Sequence, residues 1–186
     1  MTDATRIALA PLAWEDYLAL PAAEPPVEIV HGQPVVNPAP VGPRQRMIGR
    51  LYRVLDDHCP TGYEAVMAPW DWVLWRVPDL LVRQPDVVVV THEQADGPRL
   101  EVPPLLAVEV LSTEGFERDV VTKRSEYARV GLEHYWIVDL DVPEIVVYRA
   151  VDQELVEVAR AAGHQTLRLD QPFRVALQPS ALLAQR

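Results

Sequence analysis

LLAVEVLSTEGFERDVVTKRSEYARVGLEHYWIVD, residues 105–139, reads as strand, turn, helix, strand. LLAVEVL (105–111) is apolar except for Glu109. A carboxylate buried there without a partner would cost several kcal/mol, so Glu109 calls for a cation, a metal or backbone donors. Ser112, Thr113 and Glu114 offer N-cap chemistry. In the helix expected over about 115–130, Phe116, Val120, Lys123, Tyr127 and Val130 recur as one stripe. Gly131 is a standard C-terminal stop. The stripe turns Lys123 toward the sheet, and the helix doubles back over the strand that carries Glu109. With ~1.5 Å of rise per helical residue against ~3.3 Å per strand residue, the two side chains can lie at similar depth. The chain uses sixteen arginines and this one lysine. Arginine would bring a planar fork, whereas lysine brings a compact point charge.

Working outward, QPDVVVV (84–90) puts Asp86 at the mouth of the most apolar strand, directly after Pro85. Four consecutive valines indicate burial on both faces, as in a central strand of an α/β sheet. If the two central strands are neighbours, Asp86 and Glu109 can point into one cleft. Two carboxylates and a backbone carbonyl make a hard oxygen site for Mg²⁺, and such a site polarises a phosphodiester. The plainer reading of the same residues is a partly buried Asp/Glu/Lys network without catalysis, with Lys123 held by Asp119 at i−4.

Toward the N-terminus, LAWEDYLAL (12–20) has helical spacing and Pro21 stops it. VEIVHGQPVVNP reads as a hairpin turning at His31-Gly32. Glu28 alternates against Val27 and Ile29, which suits either a solvent-facing strand residue or a third acid at the site. PRQRMIGRLYRVLDDH (43–58) is a helix with Met47, Leu51, Val54 and Leu55 on its apolar stripe. Its Arg44, Arg46, Arg50 and Arg53 form the densest basic cluster, either a solvated face or a phosphate-contacting patch at the helix start, where the dipole favours anions. YEAVMA (63–68) and WDWVLW (70–75) read as strands, with the tryptophans as core or interface residues in preference to base-stacking platforms. Residues 91–104 read as a surface loop. EHYWIVDLD, PEIVVYRA, ELVEVAR and QTLRLD are further strand candidates, and LQPSALLAQR closes the chain as a short helix capped by Ser180.

The 186 residues suggest one domain, 1–186, with a sizeable core. The net charge of −10 and pI near 4.9 give no bulk attraction to nucleic acid or anionic membrane, so any DNA contact must be a local basic patch. One cysteine, Cys59, permits no intrachain disulfide and fits a reducing compartment. No stretch reaches the ~18 apolar residues of a membrane span, and the N-terminus lacks signal-peptide features. A cytoplasmic protein is expected, and the apolar edge strands suggest a homodimer. A glycosidase using two carboxylates would leave the inward lysine without a role.

EIVHGQ with Glu28, the PAP segment before the Arg-rich helix, QPDVVVV with Asp86, AVEVLS with Glu109, and DVVTKRSEYARVGLEHYWIVD with Lys123, in this order and spacing, resemble the Uma-type restriction endonuclease family within the PD-(D/E)XK nuclease superfamily. The resemblance covers most of the chain, to about residue 150. It implies a restriction-endonuclease-like α/β fold, a mixed β-sheet flanked by α-helices, and a metal-dependent DNA endonuclease site. Asp86 and Glu109 would hold Mg²⁺ or Mn²⁺, Glu28 would help through a water or a second metal, and Lys123 would orient or deprotonate the attacking water. In the commonest superfamily pattern the lysine lies two residues after the second acid, where this chain has Leu111. Here the lysine has moved to the next helix, as it commonly does in this family. Arg44 stands where the family commonly has a histidine, which keeps a phosphate contact and weakens a proton-transfer role. TEGFER replaces the usual Pro-containing turn. The alternative outcome is a catalytically silent nuclease-fold protein acting as a binding or homodimeric assembly module.

Overall fold

The computed structural model describes residues 10–20, 27–36, 41–111 and 118–183, with side chains of 118–120 left undescribed. In chain order the elements are α1 (Trp14–Leu18), β1 (Val27–Val30), β2 (Gln33–Val36), α2 (Gly42–His58), β3 (Tyr63–Met67), β4 (Trp72–Trp75), β5 (Leu81–Arg83), β6 (Val87–Thr91), α3 (His92–Ala95) and β7 (Leu106–Leu111). A π-helical turn over Arg118–Lys123 then runs into α4 (Arg124–Arg129). β8 (His134–Asp139), β9 (Glu144–Val151), β10 (Glu154–Ala162), β11 (Leu167–Leu169), β12 (Val175–Leu177) and α5 (Pro179–Leu183) follow.

Among the described residues, a six-stranded sheet has the order β10-β9-β8-β7-β6-β3 and a four-stranded sheet the order β2-β1-β5-β4. Only the β7–β8 pair of the larger sheet is parallel, because the helical segment between them returns the chain to the same end. β6 and β7 are antiparallel neighbours, Val87 opposite Val108. The period-2 alternation divides the sheet's two faces cleanly. Val87, Val89, Leu106, Val108, Val110, Trp136, Val138, Ile145 and Val147 pack against α2 and α5. Val88, Val90, Ala107, Leu111, Tyr135, Ile137, Val146 and Tyr148 face Tyr127 of α4 and Trp72 of the smaller sheet. Glu109 alternates with Val108 and Val110, so it falls on this second face.

The hairpin turns at His31 and Gly32, with φ of 51° and 73°. A Cβ at Gly32 would meet the Cβ of Pro11 at 2.5 Å, so the position tolerates only glycine. VPDLLVRQPDVVVV proves to be two strands in two sheets. β5 ends at Arg83, and Gln84, Pro85 and Asp86 carry the chain into β6, so Asp86 sits just before its strand. Residues 91–104 correct the surface-loop reading: Thr91 and Gln94 form a capping box that starts α3, and Leu100 is buried beside Trp72. Ser180 lies inside α5, and its buried Oγ has no hydrogen-bond partner among the described residues, so it does not cap. Trp72 and Trp136 are core residues. Pro21, the expected stop of α1, and the turn 112–117 lie outside the described residues.

Candidate active site

Three elements converge on the second face of the large sheet. Glu109 projects from β7, Lys123 from the end of the π-helical turn, and Glu28 from β1 of the smaller sheet. All three are buried, with 2 %, 5 % and 1 % of their surface exposed. The Lys123 Nζ donates to Glu109 Oε1 at 2.9 Å and lies 3.2 Å from Glu28 Oε1. Burial of Glu28 therefore answers the question its strand alternation left open: it faces inward. The expected α-helical stripe is interrupted by the π turn, a local widening found often at functional sites. From Lys123 onward the spacing is helical, and Tyr127, four residues later, donates its hydroxyl to the same Glu109 oxygen at 2.8 Å. The helix thus delivers a cation and a neutral donor to one carboxylate oxygen. The side chain of Asp119 is not among those described.

Arg83, at the end of β5, joins this group. It donates Nη1 to Glu28 Oε2 at 3.0 Å, and Nε and Nη2 to the two oxygens of Glu126 at 2.8 and 2.7 Å. The fork-to-fork pair with Glu126 fixes the guanidinium plane. Gln84 adds its backbone N–H to Glu28 Oε1 at 3.1 Å and its side-chain amide N–H to Asp71 at 2.7 Å. With its nitrogen committed to a carboxylate, the Gln84 Oε1 is buried without a donor among the described residues.

Asp86 lies beside this cluster, on the residue that follows Glu109: its Oδ2 accepts the Val110 N–H at 2.7 Å. Arg44, in the first turn of α2, reaches it from the other side. One Nη2 straddles both Asp86 oxygens at 3.0 and 2.9 Å, and Nε donates to the Val110 carbonyl at 3.0 Å. Of the other arginines on α2, Arg50 donates to the Leu182 carbonyl and braces α5, while Arg46 and Arg53 are exposed.

Burial raises the Glu28 carboxyl, but the charges of Lys123 and Arg83 outweigh it and hold the group below its usual range. For Arg83 burial alone would lower the pKa; the Glu126 hydrogen bonds and Glu28 charge reverse this and hold it firmly protonated. Burial and then the Glu109 charge push Tyr127 well up, so its phenol stays a donor. A carboxyl depressed in the folded state stabilises the fold above its unfolded value and loses that contribution as pH falls through the folded value. Stability is therefore expected to fall on acidification below about 4.5, the ordinary value of the group. A urea-midpoint series should show a shallower acid slope for Glu28→Gln than for the wild type, although the variant is less stable at neutral pH. Equal slopes would contradict the depressed Glu28 carboxyl.

The donor set suits a hard divalent cation in part. Glu28, Asp86 and Glu109 supply carboxylate oxygens. Among the described residues, they make with Glu126 four acids against the three cations Arg44, Arg83 and Lys123, leaving one formal negative charge in excess. The orphaned Gln84 oxygen is a further acceptor. Against this, Arg44 and Lys123 already lie on Asp86 and Glu109, and no group of three acids, histidines or cysteines among the described residues is arranged to hold a metal. A shallow hollow of about 250 Å³, lined by Tyr63, Thr91, Pro103 and Glu133 among others, lies at the opposite end of β6 from Asp86 and contains none of these acids.

Arg83, Glu126, Gln84 and the role of Tyr127 lie outside the sequence-based expectations. The available signals were an arginine inside the apolar run LLVRQ, and Glu126 three residues beyond Lys123 on the same helix.

A mixed sheet clasped by helices, with buried acids and a lysine at its centre, is a restriction-endonuclease-like fold. The fold matches a crystal structure described as a putative nuclease belonging to DUF820 from Anabaena variabilis, with a TM-score of 0.71, 16 % identity, and coverage of 93 % of this chain and 98 % of that one. A search of curated proteins found no significant match. The Uma2 family model, described as "Putative restriction endonuclease", matches residues 14–184, and the chain belongs to that family.

Proposed function

We propose that this protein is a divalent-metal-dependent endonuclease that hydrolyses DNA phosphodiester bonds. The observation that carries the reading is the buried contact of the chain's one lysine with Glu109 and Glu28, 2.9 and 3.2 Å away, in a member of this family. Asp86 and Glu109 are the residues that would hold Mg²⁺ or Mn²⁺, with Glu28 beside them. A bound cation would supply Lewis-acid polarisation of the phosphodiester and a more acidic water. Lys123 orients the attacking water or moves its proton, and Tyr127 fixes the Glu109 oxygen that Lys123 shares. Arg83, clamped by Glu126, holds Glu28 in position. Of the expected nucleic-acid contacts Arg44, Arg46 and Arg50, Arg44 and the exposed Arg46 offer phosphate contacts on an otherwise acidic chain, while Arg50 is committed to the Leu182 carbonyl.

The protein is expected to nick supercoiled plasmid DNA in Mg²⁺ or Mn²⁺, and Glu109→Ala is expected to abolish nicking. Unchanged activity in that variant refutes the assignment, and a parallel RNA substrate distinguishes the two nucleic acids. One observation favours a second reading, a catalytically silent binding or homodimeric module: Glu28, Asp86, Glu109 and Glu126 each already have a cationic partner. Calorimetric titration that detects no Mg²⁺ or Mn²⁺ site would favour that reading.

A further inference from the structure

We infer that Arg44 is a phosphate-binding residue that releases Asp86 when a nucleic-acid phosphate arrives, so that substrate and divalent cation strengthen each other's binding. The inference rests on the nuclease reading and specifies how that site is regulated. Asp86 is nearly closed off, with 8 % of its side chain exposed, and both its oxygens are shared with one Arg44 nitrogen. A cation can take a good share of Asp86 only if Arg44 moves aside. Arg44 is the more accessible partner, with 21 % of its side chain exposed. It also stands in the first turn of a 17-residue helix that has no acidic residue in that turn. The first-turn N–H groups of a helix and its dipole favour an anion there.

A guanidinium hydrogen-bonds carboxylate and phosphate oxygens with nearly the same geometry, so an arriving phosphodiester offers Arg44 an equivalent partner. The exchange also changes the local charge. With Arg44 in place the four acids exceed their cations by one charge. With Arg44 on a phosphate, the excess on the protein rises to two, beside an oxygen set that suits a hard dication. The coupling is reciprocal by thermodynamic necessity: a cation on Asp86 frees Arg44 for the phosphate to the same extent. Arg44 would thus bias the site against holding a cation when no nucleic acid is present.

Calorimetric titration with Mn²⁺ alone tests the first half. Arg44→Gln removes the competitor and is expected to tighten Mn²⁺ binding by about ten-fold, within the usual range of coupling between sites. Arg53→Gln removes the same charge from an exposed position on the same helix, away from Asp86, and is expected to leave the affinity nearly unchanged. Arg44→Lys keeps the charge but loses the second nitrogen that anchors on the Val110 carbonyl; it should fall between wild type and Arg44→Gln, and it carries the test if Arg44→Gln fails to fold. Anisotropy of a labelled DNA duplex with and without Ca²⁺ tests the second half. Ca²⁺ should tighten duplex binding to the wild type by about five-fold or more, and clearly less in Arg44→Gln.

Equal Mn²⁺ affinity in the wild type and the Arg44 variants would overturn the exchange while leaving the metal site intact. Equal gains in Arg44→Gln and Arg53→Gln would reduce the effect to bulk charge and overturn it too. No Mn²⁺ binding by any of them would overturn both the exchange and the metal-dependent reading.

Discussion

Arg83→Met is expected to cost about 3–5 kcal/mol of folding stability, the range for breaking a buried ion pair by removing one partner. Arg83 is 1 % exposed and is the shared partner of Glu28 and Glu126, which come from a different sheet strand and from α4. Methionine fills much of its volume but supplies no donor, leaving Glu126 without its two hydrogen bonds and Glu28 dependent on Lys123 and Gln84. The pH response distinguishes lost charge pairing from lost packing. In the wild type the depressed Glu28 carboxyl makes acid destabilising. Arg83→Met removes one of the two charges that hold the Glu28 carboxyl down, so the variant loses part of the stability that this depression contributes above the unfolded value. The stability gap between variant and wild type should therefore be widest at neutral pH and narrow in acid. The double variant Arg83→Met/Glu126→Leu removes the stranded charge and should recover part of the loss, since well-packed apolar groups often replace a buried pair without net cost. A cost below about 1 kcal/mol for the single variant, or no recovery in the double, would mean that packing, and not charge pairing, holds this junction.

The same junction marks where the sequence stops being legible. Glu109 and Lys123 stand out because each breaks an apolar pattern, and the pattern of each segment sets its direction: strand alternation for Glu109 and the Lys123–Tyr127 spacing for the helix. Asp86 stands out as the acid in front of four valines. These signals are local. Arg83 interrupts an apolar run as well, but neither its pattern nor the place of Glu126 on the helix names a partner, because those partners lie 43 and 55 residues away along the chain. The run 77–90 reads as one approach to a central strand, yet Pro85 and Asp86 divide it between two sheets. That division brings Glu28, from β1 beside β5, over the face that carries Glu109. Only the pairing of β1 with β5, Ile29 opposite Val82, reveals it. Arg44 and Arg50 look alike in sequence as members of one basic cluster. Six residues apart on α2, they point about 120° away from each other around the helix axis, which sends one to Asp86 and the other to the Leu182 carbonyl. The capping box of α3, by contrast, is a local signal that the surface-loop reading of 91–104 passes over: Thr91 followed three residues later by Gln94 marks a helix start.

Lys123→Arg is expected to reduce DNA nicking by about 100-fold or more while leaving the protein folded, the effect of losing a positioned proton-transfer group. The substitution keeps the positive charge between Glu28 and Glu109, so an ion-pairing role alone would survive it. Two properties change. The guanidinium cannot release a proton in any accessible pH range, and its planar fork is wider than an ammonium. Lys123 is enclosed by Glu28, Glu109 and a fully buried Tyr127, so the extra atoms must displace a neighbour, at a cost of about 1–3 kcal/mol for overpacking. Lys123→Met is the complementary variant: it leaves the site uncharged at that position and should lose both nicking and stability, because Glu109 then keeps only the Tyr127 hydroxyl of these two donors. Urea midpoints and nicking rates read together separate the roles. A Lys123→Arg protein that is stable but inactive points to a compact ammonium in the chemistry. One that nicks within about three-fold of the wild type, well short of the effect of a lost proton-transfer group, would reduce Lys123 to a counter-ion and remove the strongest argument for hydrolysis at this site.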